Sequence, residues 1–383
     1  MKIFHLSDLH IGLKLMNRDL GEDQRYILGE IVRIAAERSP DAVVIAGDIY
    51  DRPVPSAEAV EIFDAFVSSL SEALPKAEIM MISGNHDSAA RVNIFRSILR
   101  KRKLHMIGHP PVREEEHIEK IIIEDEYGPV NFYLLPFVRP SMVRQITGTN
   151  EDGSSLTYNE AVRRLIERES IDRKERNVLV SHQFYLPAGR KAEEIERAES
   201  EIRTVGNIDE VGADILEIFD YAALGHIHKP MALGKDTLRY CGTPIACSVS
   251  ESGQKKGIIE VTLGEKGSIR TETIPLSPLR EIRVIKGLFR DVLLRGCSDY
   301  VTVILTDREE LNAADLQDRL RNAFPNLLEI RREGLRKADY TAADIPEEEP
   351  DPYELCCGFL GDTDEAEREM LKSVINSVRV VWK

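Results

Sequence analysis

Five short clusters of nitrogen- and oxygen-bearing side chains dominate the chemistry open to this chain: Asp8-Leu9-His10, Gly47-Asp48, Gly84-Asn85-His86-Asp87, Ser181-His182 and Gly225-His226-Ile227-His228. Carboxylate, imidazole and amide oxygen, without thiolate, suit Mn2+, Fe2+, Zn2+ or mixtures, and disfavour Cu(I) or iron–sulfur clusters. Two such ions about 3.5–4 Å apart can clamp the attacking and leaving oxygens of an in-line displacement at phosphorus. The pair needs a bridging group, and Asp48, with two oxygens on a tight loop, is the candidate. Asp8 and His10 stand two apart and can face one side of an extended segment, where they would hold one ion. His226 and His228 share that spacing, and a loop can splay one toward each ion. Asn85 offers an amide oxygen and His182 a ring nitrogen. That leaves His86, beside Asn85 at the mouth of such a site. A leaving oxygen needs a proton, and histidine suits general-acid work near neutral pH. Asp87 behind it would orient the ring and favour its charged form.

Residues that act together must be carried by elements that end together. Each cluster follows a short apolar run: Ile3-Phe4-His5-Leu6, Ala42-Val43-Val44-Ile45-Ala46, Ile79-Met80-Met81-Ile82, Val178-Leu179-Val180 and Tyr221-Ala222-Ala223-Leu224. Runs of this kind closed by Gly, Asp, Asn or Ser read as buried strands, and layered α/β folds bind ligands outside such strand ends. Residues 23–37 put Ile27, Ile31, Ile34 and Ala35 at helical spacing. Residues 56–74 repeat the pattern, with Ser56 as the N-cap and Pro75 as the stop. Strand and helix alternate, so the fold class is α/β and layered. Residues 121–123 and 132–135 read as paired strands, 192–203 as a charged loop or solvated helix, and 238–273 as short strands of an antiparallel sheet.

At 383 residues the chain exceeds one comfortable core, so more than one domain is expected. Pro275 and Pro278 mark the boundary. The expected division is a catalytic domain at 1–275, a small α+β unit at 276–340, and an acidic linker with helices at 341–383. Within the second, residues 281–286, 300–305 and 327–331 read as strands and 313–324 as a helix. Within the third, Met370, Leu371, Val374, Ile375 and Val378 recur as one apolar face of a helix. The net charge of −15 argues against a nucleic-acid binder working by bulk electrostatics. Much of it is local, because residues 344–383 carry eleven acidic groups against four basic ones. A basic run survives at Arg96, Arg100, Lys101, Arg102 and Lys103, readable as a solvated helix end or as a contact for a DNA backbone. The interleaved Ile94, Phe95, Ile98 and Leu99 are either core or a dimer seam. No apolar stretch approaches the ~20 residues of a membrane span, no signal-peptide layout opens the chain, and five cysteines form no disulfide framework. Cys356 and Cys357 read as a buried reduced pair, and a cytoplasmic protein is expected.

In this order the clusters resemble the calcineurin-like metallophosphoesterase superfamily, whose pattern runs D-x-H, G-D, G-N-H-D/E, a later H and G-H-x-H. The resemblance is narrower still. Ser7-Asp8-Leu9-His10-Ile11-Gly12, Gly47-Asp48-Ile49-Tyr50-Asp51-Arg52, Ala223-Leu224-Gly225-His226-Ile227-His228 and Tyr240-Cys241-Gly242-Thr243-Pro244-Ile245 are similar to the SbcD family of bacterial nuclease subunits. It implies a layered β-sandwich flanked by helices, with the unit after Pro278 as a DNA-capping domain. It also implies a Mn2+-dependent DNA nuclease with 3′-to-5′ exonuclease and structure-specific endonuclease action, two divalent ions as cofactor, and homodimerisation through nuclease-domain helices. The partner would be an SMC-like ATPase, SbcC, bound by the C-terminal helices. The amphipathic stretch 365–378 fits that docking role, and otherwise would pack on its own domain. Archaeal relatives carry a histidine shortly after the bridging Asp where this chain has Asp51, so that histidine's role does not carry over.

The same ligands would serve a phosphoesterase acting on a nucleotide or another small phosphodiester, which the acidic charge favours mildly. A scaffold that had lost its chemistry would lack ligands, and no element of the pattern is missing.

Overall fold

The stretch Ala42–Ala46 is buried along its whole length, and its side chains enter two different cores. Val43 and Ile45 face helices, whereas Ala42, Val44 and Ala46 face a second sheet. A strand covered on both sides needs apolar residues at every position, which is why the run is continuous. The computed structural model describes residues 1–187, 189–190, 195, 198, 200–201, 209–307, 313–333, 351–360 and 364–379.

In chain order the first part comprises β1 (Lys2–Leu6), β2 (Lys14–Leu15), β3 (Arg18–Asp19), α1 (Gly21–Arg38), β4 (Ala42–Ala46), α2 (Ala57–Ala73), β5 (Glu78–Ile82), α3 (Ala89–Val92), α4 (Arg96–Leu99) and β6 (Leu104–Ile107). Then follow β7 (Glu119–Asp125), β8 (Gly128–Leu135), α5 (Pro140–Thr147), α6 (Tyr158–Glu167), β9 (Arg176–His182), β10 (Phe184–Leu186), β11 (Glu210–Gly212), β12 (Tyr221–Gly225), β13 (Met231–Leu233), β14 (Lys235–Tyr240), β15 (Gly257–Leu263) and β16 (Ile269–Pro275). Two six-stranded sheets result, ordered β16-β15-β1-β4-β5-β6 and β13-β14-β12-β9-β8-β7. Ile3, Val44, Met80, Phe132, Val180 and Ala223 share the core between them. Helices α1 and α2 cover the outer face of the first sheet, and α5 and α6 that of the second. The layers are therefore α/β/β/α, the expected sandwich.

Local signals explain several boundaries. The Ser56 hydroxyl accepts from the Ala59 amide and starts α2, and α6 opens on a capping box between Thr157 and Glu160. The stretch 238–273 departs from expectation. Instead of one antiparallel sheet, β14 runs parallel to β12 in the second sheet, while β15 and β16 form an antiparallel pair on the first. Period-two patterning marks a strand without naming its neighbour: Leu238 belongs to the outer core of the second sheet, and Ile259 and Val261 to the core between the sheets.

Beyond Pro278 a separate parallel sheet, β17 (Ile282–Gly287), β18 (Tyr300–Leu305) and β19 (Leu327–Arg332), packs with α7 (Phe289–Leu293) and α8 (Ala313–Ala323) around Val301, Val303, Leu320 and Phe324. Ile282 and Tyr300 also join the core under the first sheet. Arg280 pairs with Glu22 and Asp23 at the start of α1, and the Tyr300 hydroxyl donates to Asp23. The C-terminal helices α9 (Pro352–Leu360) and α10 (Glu365–Arg379) form a compact unit of their own. Leu355, Phe359, Met370 and Val374 are exposed on it. Cys356 and Cys357 are half-buried thiols, not the buried pair expected. Most of 192–203 and the acidic stretch 345–350 lie outside the described residues. In the basic run, Arg96 and Arg100 pair with Glu119 and Lys103 with Glu78. Ile94, Phe95 and Ile98 are exposed, and only Leu99 packs on the core. Among the described residues no helix is long and apolar enough to cross a membrane.

Candidate metal centre

The loops leaving β1, β4, β5, β9 and β12 meet above one edge of the sandwich. Four of the expected site residues hold backbone conformations that side chains rarely adopt: Asp8 at φ 52°, His10 at 42°, Asp48 at 50° and His226 at 107°. Such positions cost roughly 1–3 kcal/mol each and persist where the surroundings over-determine them. Here the first two loops zip together, with the Asp8 amide donating to Gly47 O (3.0 Å), His10 to Asp48 O (3.0 Å) and Ile11 to Ile49 O (2.9 Å). The Gln24 side chain on α1 donates to His10 O and accepts from the Gly12 amide. Close approach also needs glycine. A Cβ on Gly84 would lie 2.1 Å from Asp48 Oδ1, and one on Gly225 1.9 Å from Ala46 O.

All seven expected ligands are brought together. Asp48 Oδ2 lies 3.3 Å from His182 Nε2, 3.7 Å from His10 Nε2 and 4.0 Å from His86 Nε2. On one side of it His10 Nε2 faces His228 Nε2 at 3.0 Å, and Asp8 joins them in a group of donor atoms within 4.8 Å. On the other side Asn85 Oδ1 lies 3.0 Å from His182 Nε2 and 2.9 Å from His226 Nδ1. Asp8, Asp48 and His182 form a second group within the same distance. Asp48 thus stands between two clusters, His226 on one and His228 on the other. Two buried imidazole nitrogens at 3.0 Å can share one N–H···N bond, or with both lone pairs free can turn to a common cation. The donor set fits two divalent ions.

Electrostatics agree. Burial alone would raise Asp48, but His182, His86 and His10 around it hold its carboxyl well below the usual range. His182 answers: burial works to lower it, yet Asp48 and Asp8 carry it up to about 9. Without metal these two form a buried ion pair. Asp8 goes the other way, raised by burial to about 6 despite His182 and His228. Burial, with His86 and His228 alongside, keeps His10 well below its ordinary value. The cluster is a cage of competing charges in which burial and close neighbours pull each group away from its ordinary value.

His86 sits at the mouth, half-buried, but Asp87 does not orient it. Its Nδ1 lies 2.9 Å from Asp51 O, so Nδ1–H donates to that carbonyl and Nε2 turns toward Asp48. Asp87 instead accepts from the amides of Ile49 (3.0 Å), Tyr50 (2.9 Å) and Gly84 (2.9 Å). It fastens the second loop to the third, because amides leaving a strand end need acceptors and a carboxylate satisfies several at once. Four further residues around the centre carry no sequence motif that marks them. Glu251 and Ser200 stand behind His228. Phe137 stacks on His226, and the half-buried Arg139 guanidinium lies 5.5 Å from the centroid of the Phe137 ring. None lies in the five sequence clusters, although Glu251 joins His228 and Cys247 in a further group of donor atoms within 4.8 Å. For Glu251 the available signal was the clustering of polar residues after Tyr240-Cys241-Gly242-Thr243-Pro244.

Comparison with known proteins adds two family matches. Residues 1–230 match the family described as calcineurin-like phosphoesterase. Residues 278–356 match the SbcD C-terminal family, described as type 5 capsule protein repressor C-terminal domain. Among solved structures, TT1561 of Thermus thermophilus is 15% identical, with a TM-score of 0.38, covering 71% of this chain and 98% of its own. A dimetal phosphatase from Danio rerio is 12% identical with a TM-score of 0.38 and the same coverages. GAP50, the anchor in the inner membrane complex of Plasmodium, is 11% identical with a TM-score of 0.37, covering 91% of this chain and 98% of its own.

Proposed function

This chain belongs to the calcineurin-like phosphoesterase family, and from that premise we propose that it is the nuclease subunit of an SbcD-type complex, a Mn2+-dependent enzyme cleaving DNA phosphodiesters. Membership makes it a metal-dependent phosphoesterase. The observation that carries the narrower reading is the pairing of this centre with a separate three-stranded unit matching the SbcD C-terminal family. One ion would be held by Asp8, His10, Asp48 and His228, the other by Asp48, Asn85, His182 and His226. Bound there, two ions supply Lewis-acid activation of water and neutralise charge developing at phosphorus. The chain's own groups do the rest. Asp48 would serve both ions, and the strained loops keep the donors preorganised. His86, with Nδ1–H fixed on Asp51 O, turns Nε2 to the centre, where its protonated form gives a proton to the leaving oxygen. Arg139 over Phe137 offers a cation beside the centre for a neighbouring phosphate.

In this reading residues 1–275 cleave, 276–340 cap the DNA, and 341–383 dock an SMC-like ATPase through the apolar face of α10, in the cytoplasm. The exposed Ile94, Phe95 and Ile98 belong to a homodimer seam. The acidic net charge leaves part of the grip on DNA to the partner. Purified protein with Mn2+ should degrade duplex or hairpin DNA, Asp48→Ala or His182→Ala should abolish cleavage, and His86→Ala should slow it sharply while leaving metal content nearly intact. Joint loss of activity and metal in His86→Ala would make that residue a ligand. Activity confined to small phosphodiesters, even with the ATPase added, would sink the nuclease reading and favour the small-substrate alternative.

A further inference from the structure

Behind His228, on the side away from the other donors, lies a fully buried carboxylate that none of the steps above uses. One oxygen of Glu251 accepts from Ser200 Oγ (3.0 Å), Ser248 Oγ (3.1 Å) and the Cys247 amide (3.2 Å), and lies 3.5 Å from His228 Nδ1. Its other oxygen accepts from Lys256 Nζ (2.7 Å) and Thr243 Oγ1 (3.2 Å). Lys256 is itself buried, and its ammonium also donates to the main-chain carbonyl of His228 (2.9 Å) and to Gln254 Oε1 (2.9 Å). The same ion pair therefore grips the ring of His228 from one end and its backbone from the other.

The proton count around the ring follows. Ser200 Oγ lies 2.9 Å from His228 Nδ1. A hydroxyl has one proton, and Ser200 gives it to Glu251. Toward Nδ1 it can then only accept, so Nδ1 carries the hydrogen. That leaves the lone pair on Nε2, the nitrogen facing His10 and the shared donor space. A buried charged pair is expensive to desolvate and seldom a net gain in stability. Its placement here has a different consequence, since partners behind a ligating histidine set its tautomer and orientation, and their loss typically lowers metal affinity about 10–100-fold.

We propose that Glu251, acting through Ser200 and braced by Lys256, is a positioning residue that sets the affinity of one of the two ions, the one held by His228. The inference rests on the two-ion reading above. Titrating metal-free full-length protein with Mn2+ by calorimetry, and following the bound ions by electron paramagnetic resonance, resolves the two binding steps. The variant His228→Ala identifies which step belongs to that histidine. Glu251→Gln keeps the volume and removes the charge; it should weaken that step about 10–100-fold and leave the other within about twofold. Ser200→Ala, which keeps the ion pair intact, should weaken the same step less, and serves if Glu251→Gln does not fold. Leu165→Ala, in the outer core of the second sheet, supplies a destabilised control that should move neither step. Weakening of both steps alike, or of neither, in the Glu251 and Ser200 variants would overturn the proposal. Parent protein that binds no Mn2+ in two steps would instead overturn the two-ion reading itself.

Discussion

His5 gives a test of the sandwich beneath the centre. Its ring is buried between the sheets, with Nε2 3.2 Å from Leu224 O and Nδ1 2.9 Å from the Tyr221 hydroxyl. Nε2–H donates to the carbonyl and the tyrosine O–H donates to Nδ1, which satisfies the neutral ring completely. Burial, reinforced by Arg239 and only partly offset by the Leu224 carbonyl, lowers its pKa to about 3. An unfolded histidine titrates near 6.5. Between those values the unfolded chain binds a proton that the folded chain refuses, so stability falls as the pH drops through this window and is unaffected above it. From about pH 7 to pH 5 the loss from this one residue is about 2 kcal/mol. His5→Gln keeps a donor for Leu224 and an acceptor for Tyr221 without the titration. Urea unfolding of chelator-treated parent and variant at both pH values isolates the term, since the other titrating groups are common to both. The parent should lose about 2 kcal/mol more than the variant. Equal losses would mean that His5 is protonated, or solvated, in the folded protein, and that the burial between the sheets is misjudged.

Three further outcomes follow from the centre. Gly84→Ala would push a Cβ to within 2.1 Å of Asp48 Oδ1 and 2.5 Å of its amide; the variant should stay folded by circular dichroism yet lose at least about tenfold in Mn2+ affinity, as for disturbed supports of metal ligands. Asp87→Ala leaves the amides of Ile49, Tyr50 and Gly84 without their acceptor, so a destabilisation of about 2 kcal/mol or more is expected in urea, and an unchanged midpoint would contradict the clamp. His182, raised to about 9 by Asp48 after burial has lowered it, holds a proton at neutral pH that metal must displace. Calorimetry in buffers of different ionisation enthalpy should therefore show about one proton released per centre from His182, with Mn2+ affinity rising until the pH passes about 9; binding without proton release would refute the ion pair with Asp48.

The donor types were legible because chemistry restricts them. Asp8, His10, Asp48, Asn85, His182, His226 and His228 each follow an apolar run, and strand ends in layered folds are where ligands bind. The helices at Gly21–Arg38 and Ala57–Ala73 were visible in their periodicity, as were the three strands that follow Pro278. Strand partners were not, as the split of 238–273 between two sheets shows. A run such as Tyr221–Gly225 has the same pattern whichever neighbour it pairs with.

The sequence by itself determined the menu of ligands, their order and their places after buried strands, since local apolar patterning and side-chain chemistry are properties of the chain. Only the tertiary structure decided how they combine. The strained φ at Asp8, His10, Asp48 and His226, the turning of His86 onto Asp51 O, the reassignment of Asp87 to a clamp between loops, and the placing of the buried Glu251–Lys256 pair behind His228 all depend on contacts outside each residue's own cluster. Those contacts exist only once β1, β4 and β5 pair side by side and the second sheet brings His182, His226 and His228 to the same edge.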